Sequence, residues 1–489
     1  MKLPGSFAQC LQEALDENGM SASEAARLVG FRSRNSIFRI LSGETSAAVE
    51  ERFLASLRET VGDSWPEESW RRLEDALSIK RVGFEQFRSN QAFLNALREQ
   101  EQVPYTAETR WNAAEVEKIP LKQLLEDLAK DSELDVIICG CCERPLSTLV
   151  AECLCTAGDE GRAKVRHYID IREDVAVQNI LGVLPLVSKI WYNARLVEEN
   201  VCPAEMAALY RTNVISVRQK TADGRHFWHQ FLRYDSTSFV HSAGAGAAGP
   251  LASILDRWRF QLELLKPIEK PGSGPHAFVE YTSQYEQLER DSMILSIKPD
   301  IHFNCVPTEL LYQSVMEGFA QTGLASGPEL LELVKQLQII HDERYQNIFK
   351  KRRPTHLVYS LTAMEQFMRT GVQSDHFFIQ RAYTMEERKA ILRGMYTAMQ
   401  EDPYFNIHFV RRDMPELINE MTFYEGKGVL LLDAYTGYDL HDDHSEALIT
   451  LPTFQQSFCK FFIDTLLPQY VMSRAECCAE LERLLRMDE

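Results

Sequence analysis

No stretch of this 489-residue chain is long and apolar enough to form a membrane helix. Its longest uncharged window, residues 236–255, mixes Gly244, Gly246, Gly249 and Pro250 with several Ser and Thr. The first residues, MKLPGSFAQCLQEALDENG, turn acidic and amphipathic at once and lack the apolar run of a signal peptide, so no export is expected. Eleven cysteines without such a signal point to reduced thiols in a cytoplasm rather than to a disulfide framework. The chain also lacks a Gly-x-Ser-x-Gly elbow, a phosphate-binding P-loop and the paired His-x-Lys motif of a phosphodiesterase. Hydrolysis and phosphoryl transfer therefore have no residues to stand on.

Three motifs tempt and are read as structural. CGCC with Cys153 and Cys155 does not have the spacing of paired zinc knuckles. The glycines of SAGAGAAGPLASIL follow a polar segment, STSFVHS, rather than the buried strand that a dinucleotide site needs, so they are expected in a loop. DLHDDHSE packs histidines and acids between two strands and reads as a solvated turn. Neither a metal nor a cofactor is expected.

What the chain does have is enough apolar material for several cores, 45% hydrophobic and 10% aromatic residues, in a length suited to roughly three or four units. The formal net charge is −18, yet residues 25–43 hold Arg27, Arg32, Arg34 and Arg39 and no acid. Net charge does not constrain local patches, and this window is a basic island in an acidic protein.

The island lies among short helices. Phe7, Leu11, Ala14 and Leu15 mark a helix over residues 6–18 that stops near Gly19. Ser21 or Ser23 caps a second, carrying Ala25, Ala26, Leu28 and Val29 and ending at Gly30. Ile37, Ile40 and Leu41 mark a third ending near Gly43, and residues 47–58 a fourth built on Val49, Phe53, Leu54 and Leu57. The segment SASEAARLVGFRSRNSIFRILSGE resembles the helix-turn-helix of the lambda-repressor/Cro class of bacterial regulators, often called the xenobiotic-response-element type; Ala26, Gly30, Ile37, Arg39, Ile40 and Gly43 carry the likeness.

That resemblance covers residues 6–60 and implies a DNA-binding transcriptional regulator that docks on double-stranded DNA. Arg34, Asn35, Ser36 and Arg39 are then the candidates to reach bases or phosphates, with Arg32 and Ser33 on backbone phosphates. The chain departs from the family in having one extra residue between Gly30 and Ile37, and Phe38 in place of a small polar residue. The first residue of the recognition helix is thus left among Ser33, Arg34 and Asn35.

The expected fold is multidomain: an all-α helix-turn-helix over residues 1–62 and a helical connector over 63–130, followed by a large α/β body. The connector is a candidate for homodimerisation, since paired half-sites ask for paired readers. LDVIICG reads as a strand buried on both faces, followed by a helix and the strand KVRHYIDI, which places a first α/β subdomain over 131–265. Residues 213–219 and 226–234 read as a hairpin turning at ADG. A Pro/Gly-rich linker is expected over 266–280, and a helical and α/β domain over 281–489, in which Thr362 and Glu365 form a capping box. The two strand-to-helix starts, residues 134–149 and 355–367, suggest a duplicated module. Ligands of open α/β sheets bind beyond the carboxyl ends of strands, which makes Cys141, Cys142, Arg144, Ser360 and Thr362 candidate contacts for a small-molecule effector. The alternative function is an enzyme whose α/β body carries the activity.

Overall fold

The computed structural model describes all residues except 1–4, 32–33, 98–103, 113–114, 172–174, 188, 190, 198–212, 247–264, 268–274, 300, 302–304, 323–326, 350–352, 373–380, 412–418, 434–444 and 488–489. The chain divides into two compact units, Met1–Gln91 and Ala92–Glu489.

The first unit is helical. It contains α1 (Phe7–Glu17), α2 (Ala22–Leu28), α3 (Arg34–Leu41), α4 (Ala47–Val61), α5 (Glu67–Val82) and most of α6 (Phe84–Ala96). Ser6 and Ser21 cap α1 and α2 by accepting from the N–H groups of Gln9 and Glu24. One stripe of each of α1 to α5 closes a single core of Phe7, Leu11, Leu15, Ala25, Ile37, Ile40, Phe53, Leu57, Trp70 and Leu73. Trp65 stacks on Trp70 with ring centres 5.0 Å apart.

The second unit holds two mixed sheets. The eight-stranded one has the order β2-β1-β8-β7-β6-β3-β4-β5, made of β1 (Thr106–Asn112), β2 (Glu115–Pro120), β3 (Ser132–Cys139), β4 (Ala163–Asp170), β5 (Tyr192–Val197), β6 (Val214–Thr221), β7 (His226–Arg233) and β8 (Ser238–Ala245). The seven-stranded one runs β12-β11-β10-β13-β14-β15-β9, with β9 (Leu265–Pro267), β10 (Ile294–Lys298), β11 (Thr355–Tyr359), β12 (Phe405–Phe409), β13 (Asn419–Tyr424), β14 (Gly428–Asp433) and β15 (Ser445–Ile449).

The two sheets repeat one design, with one copy in each. Strands β3, β4 and β5 are parallel neighbours, and β6, β7 and β8 continue from β3 as an antiparallel meander; β10, β11, β12 and β13, β14, β15 repeat this order and direction. A helix leads into each copy, α7 (Leu121–Ala129) and α11 (Pro275–Glu289). Their ends even share residues: Leu128, Asp131 and Ser132 correspond to Leu288, Asp291 and Ser292, and both aspartates sit at positive φ, 51° and 60°. Aspartate tolerates the left-handed region better than most residues, which suits it to this sharp entry into a strand. The next residue but one confirms the register, because Leu134 N–H donates to the Arg162 carbonyl and Ile294 N–H to that of Pro354. The true counterpart of the β3 start is therefore β10. Pairing residues 134–149 with 355–367 is off by one strand, since β11 matches β4.

The crossovers use α8 (Arg144–Asp159), α9 (Ala176–Gly182) and α10 (Leu184–Val187) in the first copy, and α12 (Thr308–Thr322), α13 (Gly327–Phe349), α14 (Leu361–Thr370) and α15 (Met385–Glu401) in the second. The chain closes with α16 (Pro452–Lys460), a π-helical run over Phe461–Tyr470, and α17 (Arg474–Leu485). Leu134, Val136 and Ile138 of β3 share one core with Leu295 and Ile297 of β10 and with Phe454 and Phe458. The other face of the second sheet, with Ile294, Leu357 and Tyr359, buries a separate core against Met364, Ile391 and Leu481.

The structure corrects several expected boundaries. Within the expected helical connector, residues 106–112 and 115–120 instead form the antiparallel strands β1 and β2, and β1 pairs in parallel with β8. The polar STSFVHS contributes most of strand β8, whose neighbours supply the partners its side chains need. The expected linker begins in β9, which pairs with β15, and ends inside α11, with 268–274 outside the described residues. Residues 434–444, most of DLHDDHSE, also lie outside them.

Candidate functional site

Helices α2 and α3 carry the described part of the basic island. Helix α2 ends at Gly30, whose φ of +73° lets its N–H bond to the Arg27 carbonyl while the Phe31 N–H bonds to that of Ala26. This double bond is the usual glycine stop of a helix. Phe31 then lies across Phe53 of α4 with ring centres 5.6 Å apart, fixing the turn on the core. Ala25 and Ala26 are buried and small, so α2 and α3 pack closely. Gly43, at +74°, stops α3 by the same pair of bonds, to Ile40 and from Glu44 to Arg39.

The first described residue of α3 is Arg34, and Ser33 lies outside the described residues. Ile37 and Ile40 are fully buried, so the helix is held by one face. Asn35, Phe38, Arg39 and Ser42 are exposed on the other, and Ser36 is half-buried. Arg32 and Ser33, and the side chain of Arg34, lie outside the described residues.

Charge is partitioned in this unit. Residues 1–91 hold twelve Lys and Arg against fourteen Asp and Glu, a formal charge of −2 out of the chain's −18. Four of the six cations of α4 and α5 are paired with carboxylates: Arg58 with Glu67 and Glu74, Arg72 with Glu17, Lys80 with Glu50 and Arg81 with Glu51. Arg27 and Arg39 are exposed and have no carboxylate within ion-pair reach among the described residues. Arg27 was not among the sequence candidates, although it belongs to the same acid-free window.

The candidate contacts in the body are not gathered in one place. Cys141 and Cys142 follow β3 in a loop where Gly140 and Cys141 both have positive φ, 65° and 55°. The Cys141 N–H is taken by the Asn213 side-chain oxygen at 2.8 Å. Both thiols are buried, which together with the neighbouring Glu143 carboxylate pushes them well above the ordinary thiol range. A thiolate at the start of α8 is therefore disfavoured. Arg144 is half-buried at the first position of α8.

Beneath this loop lies His167, fully buried. Its Nε2 faces the Gly140 carbonyl, which can only accept, so Nε2 carries the proton and Nδ1 accepts from the Tyr192 hydroxyl at 3.0 Å. Burial pulls the imidazole down to about 4. Cys142 Sγ is 3.7 Å from that protonated nitrogen and 3.4 Å from the same carbonyl. The thiol thus donates to the backbone and His167 has no lone pair aimed at it. Sequence reading offered no signal for Asn213, His167 or Tyr192, whose partners come from separate strands.

Ser360 and Thr362 begin α14 and differ in role from the sequence expectation. The cap is Ser360, 7% exposed, which accepts from the Ala363 N–H. Thr362 is exposed one position into the helix, and Glu365 pairs with Arg483 of α17 instead of closing a capping box. The capping box of this region is formed by Thr384 and Glu387 at the start of α15; Arg381 holds the Glu387 carboxyl down to about 2.

A line of polar side chains crosses five adjacent strands. Thr109 meets His241 at 3.0 Å, His241 meets His229 at 3.2 Å, His229 meets Gln219 at 3.3 Å, and Gln219 donates to Ser132 at 3.0 Å. One proton arrangement satisfies all of them: Gln219 donates its amide to Ser132, so its oxygen accepts from His229 Nε2, whose Nδ1 accepts from His241 Nε2, whose Nδ1 accepts from the Thr109 hydroxyl. Burial lowers both histidines, His229 to about 4. Among the described residues no cluster of three or more His, Cys, Asp or Glu has the geometry of a metal site.

No protein-family model matches the chain, and no curated protein matches it at a significant level.

Proposed function

We propose that the chain is a DNA-binding transcriptional regulator, in which α3 enters the major groove of double-stranded DNA and residues 92–489 act as a sensor or assembly region. The observation that carries this reading is the outward face of α3. It offers Asn35, Arg39 and Ser42 to a partner from a window without acids, while Ile37 and Ile40 anchor the helix in the core. Arginine and asparagine are the side chains that read guanine and adenine edges through paired hydrogen bonds. The acidic balance of the chain lies in residues 92–489, which limits nonspecific adhesion to the phosphate backbone.

A repeated α/β fold of nearly four hundred residues is far more than DNA binding requires. Its use as a receptor for a small-molecule effector, or as the surface on which two copies pair, gives the DNA reader something to respond to. The test is selection of bound fragments from a genomic or random duplex pool at moderate salt. A common sequence should be enriched by the native chain, and Asn35→Ala and Arg39→Ala should each bind it roughly five- to a hundredfold more weakly. Failure of the native chain to enrich any sequence sinks the reading.

A further inference from the structure

Phe38 is 54% exposed, although it sits in the middle of α3. With Asn35, Arg39 and Ser42 it forms one outward stripe, at the three- and four-residue spacings that put side chains side by side on a helix. Single exposed apolar residues are ordinary on protein surfaces. This one is flanked along the stripe by hydrogen-bonding side chains, inside a window of nineteen residues with four arginines and no carboxylate. The matching surface must be anionic, rich in hydrogen-bonding edges, and apolar at one point.

The major groove of DNA has those three properties together: phosphates on its walls, base edges on its floor, and the 5-methyl group of thymine as the apolar element of that floor. We propose that Phe38 packs against a thymine 5-methyl group, so that the recognised DNA carries thymine beside the base pairs met by Asn35 and Arg39. The inference rests on α3 being the major-groove helix. It adds a specificity-determining residue that reads by apolar contact rather than by hydrogen bonding. RNA, whose uracil lacks the methyl group, is not the expected ligand.

The experiment uses the full chain and the best duplex from the selection above, resynthesised with each thymine in turn replaced by deoxyuridine. That change removes the methyl group and leaves the pairing edge and O4 in place. At one thymine of the site the native chain should lose about three- to tenfold in affinity, the effect of one buried methyl contact. Phe38→Ala should bind the thymine and deoxyuridine duplexes within about 1.5-fold of each other. Phe38→Leu, still apolar, should keep part of the difference. A native chain that binds its site but ignores every deoxyuridine overturns the proposal, as does Phe38→Ala with undiminished discrimination. If the native chain is indifferent to thymine methyls and Phe38→Ala abolishes self-association in sedimentation, the side chain is a protein contact and the proposal falls. If no duplex is enriched at all, the reading of α3 as a DNA helix fails with it.

Discussion

His229 and His241 stack with ring centres 5.4 Å apart and planes 5° from parallel, and Nδ1 of the first faces Nε2 of the second at 3.2 Å. That contact holds one proton and has no room for two. Burial, reinforced by the neighbouring His241, holds His229 at about 4; burial alone holds His167 at about 4, and burial with its neighbour His356 holds His408 at about 3. In the unfolded chain these imidazoles take up protons near 6.5, while the folded chain keeps them neutral. The unfolded state therefore binds more protons as the pH drops from about 6.5 toward 4, and stability falls across that window. Holding the fully buried His167 at about 4 rather than 6.5 corresponds to roughly 3 kcal/mol. Thermal melts of the native chain should show the midpoint declining between pH 6.5 and 5, where Glu387, at about 2, stays ionised in the fold. His229→Gln should flatten the decline; an unchanged midpoint over this range contradicts the assignment.

Glu50 is fully buried in the N-terminal unit and is held by Lys80 and by the Thr45 hydroxyl, each at 2.8 Å. Lys80→Met strands a buried carboxylate and should destabilise this unit by about 3 kcal/mol. Adding Glu50→Gln should restore most of the loss. Hydrogen exchange of α4 in the full chain reads both, and equal exchange in the native and Lys80→Met proteins refutes the dependence.

Glycine matters where backbone passes backbone. A Cβ at Gly182 would stand 1.6 Å from the Cys142 carbonyl oxygen, whereas one at Gly394 meets nothing within 4 Å. Gly182→Ala should cost about 3 kcal/mol or more, because α9 and the loop after β3 cannot both stay in place. Gly394→Ala, inside α15, should instead be neutral or stabilising by up to about 1 kcal/mol. Denaturant midpoints of the two variants should move in clearly different ways.

On the proposed DNA reading, Arg27 and Arg39 have different tasks. Arg27 belongs to α2 and is placed for phosphates; Arg39 lies on the stripe that faces base edges. Arg27→Ala should weaken binding to all sequences alike and reduce the slope of log affinity against log salt by about 0.9. Arg39→Ala should relax the selected sequence at one position. Salt titration on selected and scrambled duplexes separates the two outcomes.

Helices α1 to α4 were legible because local rules agree there: apolar residues recur at the helical period, serines stand at the starts and glycines at the stops. Strand β3 was legible as an apolar run buried on both faces, and β4 as the strand that follows its helix. Strand β8 was not, because His241 and Ser238 look like loop residues until Thr109, His229 and Thr106 supply their partners. Strand β9 is three residues long and exists through its pairing with β15, some 180 positions later. The hairpin β1–β2 was hidden by its charges, which mimic a helix surface.

By itself the sequence determined the periodicity of its helices and the acid-free window around α3, since these depend on neighbours in the chain. Only the tertiary structure decided that Phe38 of α3 is turned outward, that the two cysteines after β3 are sealed rather than presented, and that β10 is the counterpart of β3 in the second sheet. Those outcomes depend on burial and on hydrogen bonds between residues far apart in sequence, which no local pattern records.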